Sequence, residues 1–318
     1  MAIGSSRLIA AAATMGRRLV ILAAASLVAF AVLHAMPGDP VETALLGWGL
    51  PRTEEAIAFL RREWGLDRSW VAQYGLWLER LVSGDWGRSI RTGRPLLDEF
   101  GDALPISLVM GCGGLVIGLV MALPLGFFAA RHPGGVIDQV TRSLSVISQS
   151  VPLFCMALGA IWLFAAELRL IRPFTEPPFE RLLLPTLLIA LYTVPRFSRV
   201  YRRELLLATT SLYCKFALAK GLSPRAMLWR HAHPVASAAM LAAVVSECGW
   251  VIGGTATAEV VFSLPGISLF VVQSVGVRDY FVLQFYVVIM AAWMLAIGQA
   301  ADAARAWLDP RTDSGTGP

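Results

Sequence analysis

The amino-acid sequence predicts an all-α polytopic membrane protein with six transmembrane helices and a short cytoplasmic helix between spans four and five. Three observations predict this class. Hydrophobic residues make up 56% of the 318 residues, and charged residues only 15%, against about 25% in an ordinary soluble domain. The apolar residues also lie in long blocks rather than in short alternating runs. Because so few charges cannot cover the surface of a soluble fold, we expect membrane lipid to surround the chain.

Net charge and cysteine spacing argue against other classes. A formal charge of +5 is typical of the basic loops that orient a membrane protein, and we expect no nucleic-acid partner. The four cysteines are widely spaced and form no CxxC pair: Cys112, Cys155, Cys214 and Cys248. Small buried side chains are therefore a better interpretation than a metal site or disulfides, and the sequence predicts no metal and no cofactor.

The first apolar block, Leu19–Met36, follows Arg17 and Arg18. It is longer than the apolar region of a secretory signal, which spans about 7–15 residues. It also lacks a small-x-small cleavage site before Pro37. We interpret residues 1–37 as a cytoplasmic N-terminus followed by an uncleaved first span.

Residues 38–103 are mixed in character, and we place them outside the membrane as a helical loop. Two stretches of this loop have helical patterns, Glu54–Trp64 and Trp70–Leu81. Asp39, which Pro40 follows, is expected to cap the outer end of span one.

Residues 104–304 form the predicted five-helix core, with a cytoplasmic loop at 204–234, and residues 305–318 form a cytoplasmic tail. The five spans are predicted at Leu104–Ala130, Gln139–Ala166, Leu182–Tyr201, Val235–Ala258 and Phe281–Ala303. Pro124 and Pro152 interrupt two of them, which membrane helices tolerate when neighbours satisfy the freed backbone groups. An even number of spans places both termini in the cytoplasm.

The loop between spans four and five contains both lysines of the chain, Lys215 and Lys220, which favours a cytoplasmic location. A solvated, positive-inside loop is the plainest interpretation of these charges. The order of residues within the loop, however, indicates a defined local structure.

Leu212–Lys220 has the pattern of a short amphipathic helix, which Gly221 would end in a left-handed conformation. Ser223 is placed as an N-cap and Pro224 as the first residue of a second helix. This order predicts a rigid surface knob rather than a flexible connection. Ala217 and Gly221, four residues apart, would leave one side bare enough to approach another backbone closely.

The loop resembles the cytoplasmic coupling loop of binding-protein-dependent ATP-binding cassette permeases of the dipeptide, oligopeptide and nickel class. The resemblance rests on Tyr213-Cys-Lys-Phe-Ala217-Leu-Ala-Lys-Gly221-Leu-Ser223, followed by His231-Ala232. Further motifs similar to that class occur in matching order: Pro37-Gly38-Asp39-Pro40, Gly65-Leu66-Asp67, Gln73-Tyr74, Gly84-Asp85-Trp86-Gly87, Glu259-Val-Val-Phe262-Ser-Leu-Pro265-Gly266, Arg278-Asp279-Tyr280 and Leu308-Asp309-Pro310-Arg311. Each motif is weak alone, but together they cover nearly the whole chain. The loop departs from the family pattern at Cys214, Lys215, Phe216 and Leu218, and at Val235 and Ala239 after it.

The resemblance implies a type I ABC importer permease of the bacterial inner membrane. The implied ATPase-coupling residues are Tyr213, Lys215, Ala217, Lys220, Gly221, Ser223 and His231. The implied structural residues are Gly38, Asp39, Glu259, Pro265, Gly266, Asp309 and Pro310. The chain has no GK dipeptide, so it has no Walker A loop and is not expected to be an enzyme. The implied partners are two cytoplasmic ATP-binding subunits, a second permease that is a related chain, and an extracytoplasmic solute-binding protein.

Glu247 lies in the middle of predicted span five, where a charge is costly unless it faces protein or water. Two interpretations remain open: a pathway group that meets a cationic or amine-bearing solute, or a protonated or hydrogen-bonded glutamate against a neighbouring helix. Gly253 and Gly254 nearby favour close helix packing over a backbone-lined constriction. Glu259 is expected to position the outer segment rather than to bind solute.

Two alternative functions have weaker support. An ion-gradient-driven secondary transporter would show an inverted repeat and paired ionisable residues near the midplane. A membrane enzyme would need clustered His, Asp or Glu such as HExxH, and His231 and His233 are two apart, which makes a poor metal pair. Within the importer class, the motifs leave open a peptide, nickel or a metal chelate as the solute.

Overall fold

The computed structural model describes the backbone of residues 2–35, 38–170 and 178–308, and the side chains of residues 14–35, 38–170 and 180–304. The predicted all-α class is confirmed: these residues form helices and turns, with one isolated β-bridge between Arg88 and Pro95. Two predicted structural residues, Asp309 and Pro310, lie outside the described part of the chain.

The described backbone contains fourteen α-helices, in chain order: α1 (Ala2–Ala35), α2 (Pro40–Gly47), α3 (Glu54–Trp64), α4 (Trp70–Ser83), α5 (Leu96–Arg131), α6 (Val136–Ser150), α7 (Leu153–Ile161), α8 (Pro178–Thr210), α9 (Leu212–Ala219), α10 (Pro224–Met227), α11 (His233–Cys248), α12 (Ala256–Val261), α13 (Ile267–Gly276) and α14 (Tyr280–Leu308). Two π-helical turns lie between them, at Trp162–Glu167 and Leu228–Ala232. The chain divides into two compact units, Met1–Leu104 with Leu269–Leu295, and Pro105–Ser268 with Ala296–Pro318.

In the first unit, the two predicted loop helices are confirmed as α3 and α4. The Thr53 hydroxyl caps α3 by accepting a hydrogen bond from the Ala56 N–H at 3.3 Å, and Gly84 ends α4 at φ +81°. Asp39 is a correction: its carboxylate accepts from the Val41 N–H at 2.9 Å and caps the start of α2, not the end of span one. A short polar side chain before Pro40 is in the ordinary N-cap position.

In the second unit, α5 and α8 approach closely along a row of small residues on α5. A Cβ atom added at Gly114 would lie 2.4 Å from the Ile189 side chain, and one at Gly126 would lie 2.7 Å from the Ser198 carbonyl oxygen. Gly118, four residues after Gly114, also faces α8, and small residues at this spacing let membrane helices meet backbone to backbone. A large apolar core of the unit includes the fully buried Phe197 of α8.

By length and composition, three helices in the described residues can cross a membrane: Thr14–Ala35, Leu96–Arg131 and Tyr280–Ala304. The predicted third span is broken, because Val136–Ser150 and Leu153–Glu167 meet at an angle of 102° and count as one crossing only if taken together. Pro152 stands at this break, where its ring and missing N–H prevent a continuous helix.

The predicted fourth and fifth spans coincide with α8 and α11, but their ends differ from the prediction. Helix α8 continues to Thr210, about two turns beyond the predicted end at Tyr201. Helix α11 ends at Cys248, ten residues before the predicted end at Ala258, and turns replace it up to Thr255. Small and β-branched residues in this stretch lower helix propensity enough for tertiary contacts to decide its conformation.

The prediction that the cysteines are buried is wrong for two of the four. Cys214 is buried and Cys248 is partly buried, but Cys112 and Cys155 are exposed on the isolated chain. In a membrane protein an apolar residue can face lipid, so an apolar environment does not require burial in the protein.

Candidate functional site

The strongest candidate site is a compact projection at the end of α8, which we call the α9 knob (residues Leu212–Met227). After Ser211 the chain turns into α9, and Gly221 leaves that helix with φ +87°. The Ser223 hydroxyl then accepts a hydrogen bond from the Ala226 N–H at 3.3 Å, and Pro224 is the first residue of α10. The predicted glycine end and serine cap are therefore both present.

The inner face of the knob is where the structure corrects the sequence prediction. Ala217 is buried, and it lies with the fully buried Cys214 in the core that contains Leu205 and Met227. Ala217 is therefore used inside this chain and is not free to approach another backbone, whereas Gly221 is exposed and a Cβ added there would meet no atom within 4 Å. The burial of Ala217 attaches the knob to α8 by packing as well as by the chain connection.

The outer face of the knob is apolar and aromatic. Leu212 is 73% exposed and Phe216 is 66% exposed, and Tyr213 lies beside them with 44% exposure. Lys215 and Lys220 are exposed at the sides of this patch. Exposed side chains of this type on a rigid backbone are typical of a protein-binding surface.

A buried carboxylate fixes α8 just before it reaches the knob. Asp138, at the start of α6, lies 2.7 Å from Arg202 Nε through its Oδ1. Its Oδ2 accepts from Arg202 Nη2 at 3.0 Å and from the Gly134 N–H at 2.8 Å, and Arg142 Nη2 lies 3.1 Å away. Sequence reasoning missed this site; the spacing of Asp138 and Arg142, four residues apart on one helix, was the available signal.

The two histidines that follow the knob have different surroundings. His231 is partly buried in the π-helical turn, whereas the His233 Nδ1 atom shares a hydrogen bond with the Tyr201 hydroxyl. In the described part of the chain, no group of three or more His, Cys, Asp or Glu side chains is arranged to hold a metal ion.

The predicted pathway residues are placed apart from the knob. Glu247, near the end of α11, forms an ion pair with Arg196 of α8, with Nη2 and Oε1 2.7 Å apart. Gly253 and Gly254 lie in the turns after α11. A Cβ atom at Gly254 would lie 1.9 Å from the Trp250 indole, so this glycine makes room for a side chain of its own turn.

Glu259 is fully buried in the second unit and acts as a hydrogen-bond centre. Its Oε1 accepts from the Ser107 hydroxyl at 2.8 Å and from the Thr255 hydroxyl at 2.7 Å. The Ser107 oxygen accepts in turn from the Ile267 N–H at 2.9 Å. Gly266 lies directly against the carboxylate, since a Cβ there would be 2.5 Å from its Cδ. Pro265 beside it is exposed.

In the first unit, Gly38 has φ +109°, and a Cβ atom there would lie 1.7 Å from the Arg278 guanidinium. Asp39 forms an ion pair with Arg61 of α3 in addition to its capping bond. These two residues therefore shape the turn between α1 and α2, and no described contact makes either of them part of a solute site.

Comparison with known proteins identifies the family that the chain matches. Residues 122–314 match the family described as binding-protein-dependent transport system inner membrane component, and residues 10–108 match the N-terminal part of such membrane components. The chain is 30% identical over 307 residues to the probable peptide ABC transporter permease protein y4tP of Sinorhizobium fredii, covering 93% of this chain and 97% of that protein.

Two further relatives are similar over almost their whole length. The dipeptide transport system permease protein DppB of Alkalihalophilus pseudofirmus is 27% identical, with 92% of this chain and 95% of the relative covered. The probable D,D-dipeptide transport system permease protein DdpB of Escherichia coli K12 is 28% identical, with 93% and 95% covered.

Proposed function

The chain belongs to the family of binding-protein-dependent transport system inner membrane components, and from that premise we propose that it carries peptides and is driven through the α9 knob. It is a multi-pass inner-membrane permease subunit of an ABC importer. The identity of its solute and the surfaces that contact its partners are the proposal.

The exposed aromatic face of the knob is the observation that carries this proposal. Phe216 and Leu212 would be unfavourable in water without a partner, because apolar surface gains about 25 cal/mol per Å² when it is buried. The backbone beneath them is held by Gly221, by the Ser223 cap and by buried Ala217. A rigid apolar surface of this kind can transmit a displacement of a docked subunit to α8.

The proposed partners follow from this arrangement. Two cytoplasmic ATP-binding subunits supply the driving force, one of them at this knob, and a second, related permease completes the pathway. An extracytoplasmic solute-binding protein delivers the solute, and both termini lie in the cytoplasm. The relatives' names favour a peptide over nickel or a metal chelate as the solute.

Phe216→Asp tests the docking role of the knob. The variant places a charge in the exposed patch without touching the buried Cys214 and Ala217, so membrane insertion should be normal. We expect the ATP-binding subunits to be lost on co-purification, and ATP-dependent import of trialanine to fall at least tenfold. Val82→Asp on α4 is the control, because Val82 is 87% exposed but lies in the predicted extracytoplasmic loop.

Two results would contradict the proposal. One is normal co-purification and normal import in Phe216→Asp. The other is import that continues without any ATP-binding subunit and responds to an ion gradient, which would indicate a secondary transporter.

A further inference from the structure

Helix α8 carries one inward-turned arginine and a run of exposed ones. Arg202 turns inward to the buried Asp138. Arg196, Arg199 and Arg203 recur at intervals of three and four residues, so they lie on one face, and all three are exposed. We call these three residues the α8 arginine face; Arg196 is the member that pairs with Glu247.

The upper part of this face falls in a predicted membrane span. Arg196 lies in predicted span four, Leu182–Tyr201, five residues or about 7.5 Å along a helix axis from its predicted cytoplasmic end. Glu247 lies in predicted span five, Val235–Ala258. Both side chains are therefore expected within the hydrocarbon core.

An arginine within a membrane span is costly against lipid. Insertion of a central arginine costs about 2.5–3.5 kcal/mol or more, and such residues almost always face the bundle interior or a water-filled cavity. The exposed face of α8 is therefore expected to line a path that contains water or solute, not to contact acyl chains.

The Arg196–Glu247 ion pair is open on one side. The Glu247 side chain is 13% exposed, whereas the Arg196 side chain is 59% exposed. A guanidinium has five N–H donors in a planar fork, and the contact to Glu247 through Nη2 leaves further donors on this half-exposed side chain. Arg199, one turn nearer the cytoplasm, forms no ion pair with any residue in the described ranges.

From this geometry we infer that Arg196 and Arg199 form an anion-binding site in the translocation pathway, which takes the α-carboxylate of the transported peptide. Glu247 holds Arg196 in position between transport cycles. The peptide carboxylate binds by the paired hydrogen bonds that a guanidinium offers. The inference rests on the proposed function. It also gives a reason to favour peptides over a bare metal cation, which two neighbouring arginines would repel.

The test uses the assembled importer in proteoliposomes, with ATP inside and a binding protein saturated with trialanine outside. Arg196→Gln should lower the import rate at least tenfold, while the ATP hydrolysis stimulated by the loaded binding protein stays within twofold of the wild type. Arg196→Lys, which keeps the positive charge, should retain more import than Arg196→Gln. Arg169→Gln is the control, because Arg169 is an exposed arginine of the same unit that follows the π-helical turn Trp162–Glu167 and belongs to neither the knob nor α8.

A charge-swapped double variant separates a binding role from a structural one. Arg196→Glu with Glu247→Arg restores an ion pair between α8 and α11 but moves the positive charge from position 196 to position 247. We expect normal assembly and ATP hydrolysis with import as low as in Arg196→Gln. The wild-type importer should also carry trialanine amide at least tenfold more slowly than trialanine. The amide is delivered by a binding protein shown to be saturated with it.

Three results would overturn the inference: import within twofold of the wild type in Arg196→Gln, recovery of import in the swapped variant, or equal import of trialanine and its amide. Each of them can occur in an importer that carries peptides normally. A wild-type importer that fails to carry trialanine with ATP would instead contradict the proposed function.

Discussion

Asp138 and Arg202 form a buried ion pair that joins the start of α6 to α8, about three turns before the α9 knob. Asp138 is fully buried, while Arg202 remains partly exposed. The same carboxylate also accepts from the Gly134 N–H in the tight basic turn after α5. One side chain therefore connects three parts of the second unit at the base of the knob.

Asp138→Asn should destabilise the protein strongly, because it leaves the Arg202 guanidinium without a counter-charge. Removing one partner of a buried pair costs about 3–5 kcal/mol, which thermal unfolding in detergent would detect. Arg142→Gln removes the exposed partner of the same carboxylate and should cost less than about 1 kcal/mol. Equal effects of the two variants would contradict the assignment of Arg202 as the main partner.

Gly266→Ala should disturb the Glu259 centre, because the added methyl group would lie 2.5 Å from the carboxyl carbon and 2.7 Å from the Ser107 oxygen. Overpacking of a buried site costs about 1–3 kcal/mol. Gly276→Ala is the control, since a Cβ there meets nothing within 4 Å. Thermal unfolding of the two variants measures the difference, and unchanged stability in Gly266→Ala would refute the close contact.

Gly221→Val should weaken coupling through backbone strain alone, because φ is +87° and a Cβ there meets no atom within 4 Å. The left-handed conformation costs about 1–2 kcal/mol for a residue with a Cβ, and asparagine tolerates it better. ATP hydrolysis stimulated by the binding protein should therefore be lower in Gly221→Val than in Gly221→Asn.

Gly65→Val provides the matched control for Gly221→Val. Gly65 also has a left-handed φ, +72°, and open space around its Cα, but it ends α3 in the predicted extracytoplasmic loop. We expect ATP hydrolysis stimulated by the binding protein to be normal in Gly65→Val. A similar loss in both variants would mean that strain anywhere in the chain lowers activity.

Asp39→Ala should destabilise the first unit by about 1 kcal/mol through loss of the cap on α2. Asp39→Asn keeps an oxygen that can accept from the Val41 N–H and loses only the charge that faces Arg61. Because that arginine is half exposed, the charge contributes less than the cap. The melting temperature should be highest in the wild type, lower in Asp39→Asn and lowest in Asp39→Ala. A lower melting temperature in Asp39→Asn than in Asp39→Ala would contradict the capping role.

Asp279 should make stability depend on pH. Burial raises the pKa of its carboxyl above the ordinary value of 3.8, against hydrogen bonds from Ser89 and from the N–H groups of Arg91, Val282 and Ile90 that lower it. The folded state therefore holds the proton more tightly than the unfolded state. Its contribution to stability is fully present below pH 3.8 and is lost as pH rises through the raised pKa.

Asp279→Asn cannot titrate and serves as the reference. The melting temperature of the wild type minus that of Asp279→Asn should be largest near pH 4 and should decrease towards pH 7. A difference in melting temperature that grows with pH would show that the hydrogen bonds affect the pKa of Asp279 more than burial does.

The local structure of the knob was predictable because its signals act over a few residues. Glycine at a left-handed position, and serine followed by proline at a helix start, define their conformations through the adjacent backbone. The outward direction of Phe216 and the burial of Ala217 were not predictable in the same way. They depend on which face of α9 meets the core around Leu205, and no short-range signal specifies that rotation.

The break in the third predicted span and the short α11 illustrate the same limit. Pro152 indicated an interruption, but the 102° bend depends on what packs on each side. The composition around Gly253 and Gly254 allowed either a helix or a turn, and the fit of the Trp250 side chain against Gly254 decided for the turn.

The sequence by itself determined that lipid surrounds the chain, that its elements are helices, and that a capped knob interrupts them, because composition and nearest-neighbour chemistry are enough for each. Only the tertiary structure decided which arginine of α8 is buried against Asp138 and which stay open beside Glu247. A charge inside a membrane is stabilised by a partner distant in sequence, and that partner is selected by how neighbouring helices are rotated and how closely they approach.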